Sequence, residues 1–158
     1  MSLRSLATLV LLLAGAAAAC DDGTTAPAPS LEVSLTAATD SVRVNTRTDG
    51  STEVVCRARF RAVSTGDTGT RARWQGGVFR FYTGADRATA IDSIAFTPEY
   101  LTLLLANAPL TPGFDQGTVW QLVQREPFTV QAEFRYKQVG TEFAPRTVTA
   151  STECRPQG

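Results

Sequence analysis

The chain has 158 residues, with 15 Lys+Arg against 15 Asp+Glu. That is enough for one domain with a modest core, and it gives no net positive field to favour nucleic acid or an acidic lipid surface. There is no histidine, which excludes a Ser-His-Asp triad, a Cys-His pair and histidine-ligated metal.

The first nineteen residues read as a secretory leader. Arg4 supplies the positive start, Leu6 to Leu13 a short apolar stretch, and Ala14 to Ala19 the small residues before a cleavage point. The run is too short and too rich in alanine for a membrane-spanning helix, and no later apolar stretch approaches that length. The last four residues of the junction, Ala17-Ala18-Ala19-Cys20, resemble the lipobox of bacterial lipoproteins, departing from it at Ala17, where that family usually has a larger aliphatic side chain. The resemblance implies that Cys20 becomes the mature N-terminus, carrying a diacylglyceryl thioether and usually an N-acyl chain. One acyl chain binds a membrane only marginally, whereas two or more hold it durably. The competing reading is an ordinary leader cleaved nearby, with Cys20 left as a free thiol.

Residues 21–30, DDGTTAPAPS, contain no large apolar side chain and read as a tether that follows the lipidated cysteine. Ten residues reach roughly 30–36 Å when extended. The predicted membrane partner is therefore held by Cys20, and the domain, 31–158, stands just clear of the bilayer.

From Leu31 onward the apolar period is two. Strand candidates are Leu31–Leu35, Val42–Val44, Thr52–Ala62, Arg71–Thr83, Thr89–Phe96, Thr118–Val123, Pro127–Lys137 and Arg146–Cys154. In the third, Val54, Cys56, Ala58, Phe60 and Ala62 face inward, while Arg57, Arg59 and Arg61 face outward. In the fourth, the beat passes through Ala72 and Trp74, then shifts by one after Gly76-Gly77 to Phe79 and Phe81, the mark of a β-bulge. In the seventh, Phe128, Val130, Ala132, Phe134 and Tyr136 share the inward side. In the last, Val148, Ala150, Thr152 and Cys154 do. Turn signals at Asp49-Gly50, 64–69, Thr83-Gly84, 111–117 and Gly140 separate these runs and favour antiparallel pairing. With Cys20 anchored, Cys56 and Cys154 remain as an even pair on the apolar sides of their strands, and a disulfide between them is predicted.

One segment breaks the alternation. Thr97 is placed to cap a helix, with Pro98 at its first position and Glu99 in its first turn. Leu101, Leu104 and Leu105 then share a face, so a helix is predicted over Pro98–Asn107, crossing over the sandwich. An early-strand cysteine, a tryptophan and a late-strand cysteine resemble the immunoglobulin-like plan, which implies an all-β antiparallel sandwich of seven or eight strands. Two departures separate the chain from antibody domains. Cys154 closes the last strand rather than the one before it, and Thr152 stands where a tyrosine would.

No cofactor or metal motif is evident. The cysteines lack Cys-x-x-Cys spacing, and no glycine-rich phosphate loop precedes a helix. Glu133 and Glu153 fall on outward strand faces, and Asp40, Asp49, Asp67, Asp86 and Asp115 near turns, where capping and solvation account for them. Without Asp-x-Asp spacing, nothing points to calcium. The expected function is therefore non-catalytic: a lipid-anchored cell-envelope protein whose domain is structural, adhesive or protein-binding. The alternative is a surface carbohydrate-binding module. Two features carry these readings. Arg57, Arg59 and Arg61 form an outward ladder, spaced ~6.6–7 Å along the strand, that either binds an acidic protein or polysaccharide or simply solvates the sheet, paired with Glu32 or other acids. Trp120 is the candidate aromatic contact, with Tyr82 or Tyr100 completing a sugar platform. Its side is open, because Trp120/Leu122 and Val119/Val123 both make acceptable inward faces.

Overall fold

The computed structural model describes residues 28–83, 87, 89–140 and 142–156. The leader, Cys20 and the first part of the tether fall outside the described residues. Seven strands and one helix follow in order: β1 (Leu31–Thr46), β2 (Thr52–Gly66), β3 (Ala72–Thr83), β4 (Asp92–Phe96), α1 (Pro98–Leu104), β5 (Asp115–Gln124), β6 (Phe128–Gln138) and β7 (Arg146–Cys154). They build two antiparallel sheets with strand orders β1-β2-β5 and β4-β3-β6-β7. This is an all-β, immunoglobulin-like sandwich, and α1 lies on the crossover from the second sheet to the first. In the constant-type immunoglobulin plan the fourth strand joins the sheet of the first, second and fifth. Here β4 pairs with β3 instead, and that leaves β5 with β2 as its one strand neighbour among the described residues.

The period-two faces land as expected. Phe128, Val130, Ala132, Phe134 and Tyr136 are buried, as are Val54, Cys56, Ala58, Phe60 and Ala62. The two sheets meet through aromatic rings: Phe60 lies 4.6 Å from Phe79, centroid to centroid, and Phe79 packs edge-on to Phe96 at 4.8 Å and to Trp120 at 5.2 Å. Cys56 and Cys154 are joined, with Cα atoms 5.5 Å apart. The bond ties the middle strand of one sheet to an edge strand of the other. The bulge expected at the glycine pair falls between Trp74 and Gly76. Gly76 has φ 101°, and a Cβ there would sit 2.6 Å from the Phe96 carbonyl oxygen, so only glycine lets β3 turn its apolar beat against the neighbouring β4 backbone.

Several boundaries differ from expectation: β2 runs on to Gly66, β4 starts at Asp92 rather than Thr89, and β5 starts at Asp115 inside the expected 111–117 turn; three further differences have a visible cause. The candidates Leu31–Leu35 and Val42–Val44 are two parts of one strand, β1, whose register shifts between Thr39 and Ser41. The bulge interrupts the alternation there and hides the continuity. The helix ends at Leu104, not Asn107, because Ala106 (φ 61°) and Asn107 (φ 52°) turn left-handed. Asn107 N–H donates to the Thr102 carbonyl at 2.9 Å, which closes the last turn in the manner usually given to glycine. Leu101 and Leu105 are buried beneath α1, and Leu104 is half-buried against the same core. Finally, the tether expected through Ser30 ends earlier: Gln138 Nε2 donates to the Pro29 carbonyl at 2.6 Å, and Ser30 N–H donates to Asp67 Oδ2 at 2.9 Å.

Candidate functional site: the outer face of the three-stranded sheet

Antiparallel register fixes what shares the outer face of β1-β2-β5. Across β2, Arg61 stands opposite Thr36 and Gly117, Arg59 opposite Ala38 and Val119, and Arg57 opposite Ser41 and Gln121. The next row is Arg43, Val55 and Val123. All three ladder arginines are exposed, as the period predicts, but they are not equivalent. Arg59 pairs with Asp40 at 3.1 Å. Arg61 forms a two-pronged pair with Asp115, its Nε donating to Oδ1 at 2.6 Å. Hydrogen bonding from the Arg61 guanidinium holds the Asp115 carboxyl below its usual range, so the pair persists through neutral pH and loosens only as acid protonates Asp115. Glu32, foreseen as an acid for the ladder, pairs instead with Arg146.

Arg57 and its diagonal neighbour Arg43 have no carboxylate partner among the described residues. With Ser41, Val55 and Gln121 they line a shallow cleft of about 140 Å³. Val55 forms its apolar floor, although it points away from the core: it is only 5 % exposed. The stems of the neighbouring arginines are long enough to cover such a side chain while their heads stay in water. Arg43 carries no signal in the sequence that marks it as a site residue. Its isolated valine-arginine-valine context shows no ladder, and only the β1–β2 register brings it beside Arg57.

The register settles the side of Trp120, which the sequence leaves open: the candidate aromatic contact stands opposite Ala58, which is wholly buried, and so points inward and is half-buried. Its indole lies among Phe79, Phe96 and Tyr100, at 5.2, 5.3 and 6.4 Å. Val119 and Val123, 40 % and 42 % exposed, occupy the outer face instead. Tyr82 is buried on the four-stranded sheet, its hydroxyl donating to Gln131. Trp120, Tyr82 and Tyr100 therefore do not share a flat platform.

Among the other concave regions, two bear on whether the chain could do acid–base chemistry. A cleft of about 440 Å³ at the β1–β2 turn includes Asp49 and Glu53. Both carboxyls are held below their usual range, Asp49 by hydrogen bonds from Ser51 and Glu53 by hydrogen bonding from Arg47. A glycosidase pair needs one carboxyl raised so that it can donate a proton, and this pair has none. A cleft of about 640 Å³ between α1 and the start of β3 has Glu99 as the one carboxylate in its lining. Among the described residues, no three potential metal ligands converge.

The fold and this face define the chain as an immunoglobulin-like β-sandwich with a cationic spot on its three-stranded sheet. The chain matches no family model and no curated protein.

Proposed function

We propose that this protein is an exported, lipid-anchored component of a bacterial cell envelope, and that its sandwich is a non-catalytic module that binds an acidic protein partner. The leader and the lipobox-like junction at Cys20 support the anchor. The observation that carries the binding reading is the contrast within one sheet face: Arg59 and Arg61 are neutralised by Asp40 and Asp115, while Arg43 and Arg57 have no carboxylate partner among the described residues and flank an apolar-floored cleft. An uncompensated pair of guanidinium groups favours carboxylate-bearing partners and fixes their orientation. The packing of Trp120 against Phe79 and Phe96 weighs against the aromatic platform on which a carbohydrate module would rest.

The test compares native-envelope pull-downs of the anchored wild type and of Arg43→Gln/Arg57→Gln. Exposed ion pairs are each worth about 0.2–1 kcal/mol, so losing two lowers affinity about 2- to 30-fold. Raising salt should weaken wild-type capture in parallel, because exposed charges are screened over about 8–10 Å at physiological ionic strength. Arg59→Gln/Arg61→Gln, which removes arginines already paired, should have the smaller effect. An unchanged partner and yield in the Arg43/Arg57 variant, at low and high salt, would contradict the reading.

A further inference from the structure

We propose that β5 is a docking edge, to which the acidic partner adds an extended strand that continues the β1-β2-β5 sheet. This rests on the function proposed above and names its binding mode. The inference comes from comparing the four sheet edges. Exposed edges template pairing with other chains, and proteins blunt them with charges, prolines, bulges, short length or covering groups. The edge of β1 is covered: Leu31 N–H donates to Gln138 Oε1, Val33 N–H donates to the Tyr136 hydroxyl, and a bulge interrupts the strand at Asp40. The edge of β7 is stitched to β1, where Thr39 donates to the Glu153 carbonyl at 2.7 Å and Arg146 pairs with Glu32. The β4 edge is five residues long.

Among the described residues, the β5 edge has none of these guards. It is ten residues long, and from Gln116 to Gln124 it contains no charge and no proline. Its backbone pairs with β2 alone among the described residues. The cause lies in the topology: β4, which would cover this edge in the constant-type plan, pairs with β3 instead. Strand addition gains affinity from main-chain hydrogen bonds and specificity from alternate side chains. An added strand would place its alternate side chains on the outer face beside Val119, Gln121 and Val123, one strand removed from Arg57 and within reach of Arg125 beyond the end of β5. No carboxylate among the described residues pairs with Arg125 either. This arrangement favours a strand that alternates apolar and acidic residues.

The experiment uses the full chain in detergent. Its probes are a nine-residue peptide alternating valine and glutamate, a twin with every backbone nitrogen methylated, and a twin with glutamine for glutamate. Hydrogen–deuterium exchange by mass spectrometry follows peptides spanning 115–124. The acidic peptide should slow exchange there by about tenfold. The methylated twin should give no protection, and the glutamine twin should bind at least about fivefold more weakly. Arg57→Gln/Arg125→Gln should weaken the acidic peptide and leave the glutamine twin unchanged. If the methylated twin binds as well as its parent and 115–124 stays unprotected, strand addition is overturned while the cationic face stands. If all three peptides bind equally and the arginine variant is indifferent, the acidic-partner reading fails as well. Concentration-dependent protection of 115–124 without peptide, with a dimer mass, makes a second copy the occupant and overturns the proposal.

Discussion

Replacing Cys56 and Cys154 together by alanine should lower the unfolding free energy by about 4–5 kcal/mol in chain-entropy terms, because the bond closes a loop spanning most of the domain. The two residues are 98 positions apart in sequence and wholly buried. Domains of this kind are stable by about 5–15 kcal/mol, so the loss is a large fraction of the total. The bond joins β2 in the centre of one sheet to β7 at the edge of the other, and reduction would free the sheets to part in the unfolded state without removing a core side chain. Urea unfolding of oxidised wild type, reduced wild type and the double variant separates the contributions. The reduced protein and the variant should unfold at similar, lower urea concentrations. A difference below about 1 kcal/mol from the oxidised protein would mean that the reduced chain is already held together by something other than the link.

Phe79→Ala should cost about 3–5 kcal/mol. Phe79 is wholly buried in β3 and touches both sheets, with Phe60 and Trp120 from the three-stranded sheet and Phe96 and Phe134 from its own. Removing the ring leaves a void between layers whose lining is aromatic and stiff, so little of it can collapse. Phe79→Leu keeps most of the volume and should lose distinctly less. Chemical denaturation of the two variants checks this. Equal, small losses would mean that the layers are not packed through this ring.

Much of the sandwich was legible because its central strands bury one full face. In β6, and in β2 from Cys56 to Ala62, apolar and polar residues alternate, and the step at Gly76 announced its bulge. Edge strands were harder to read. In β1 only one face is partly covered, and the bulge after Thr39 breaks the phase, so one strand looked like two. The end of α1 was missed because Ala106, not glycine, occupies the left-handed position. The orientation of the arginine ladder followed from period two alone, but its electrostatics did not. Asp40 reaches Arg59 from a bulge in β1, and Asp115 reaches Arg61 from the start of β5, so both pairs depend on cross-strand register. The same register turns Trp120 inward and sets Arg43 beside Arg57. The partner of β4 is likewise a property of topology, and no local pattern distinguishes a fourth strand that covers β5 from one that pairs with β3.

The most direct test of the account is the mass of the mature N-terminal peptide isolated from membranes. A lipid-anchored envelope module predicts a chain beginning at Cys20, with a diacylglyceryl group on its sulfur and its N-terminus acylated, and Cys20→Ala should leave the protein unanchored. A mature chain that begins at another residue, with Cys20 absent or an unmodified thiol, would contradict it.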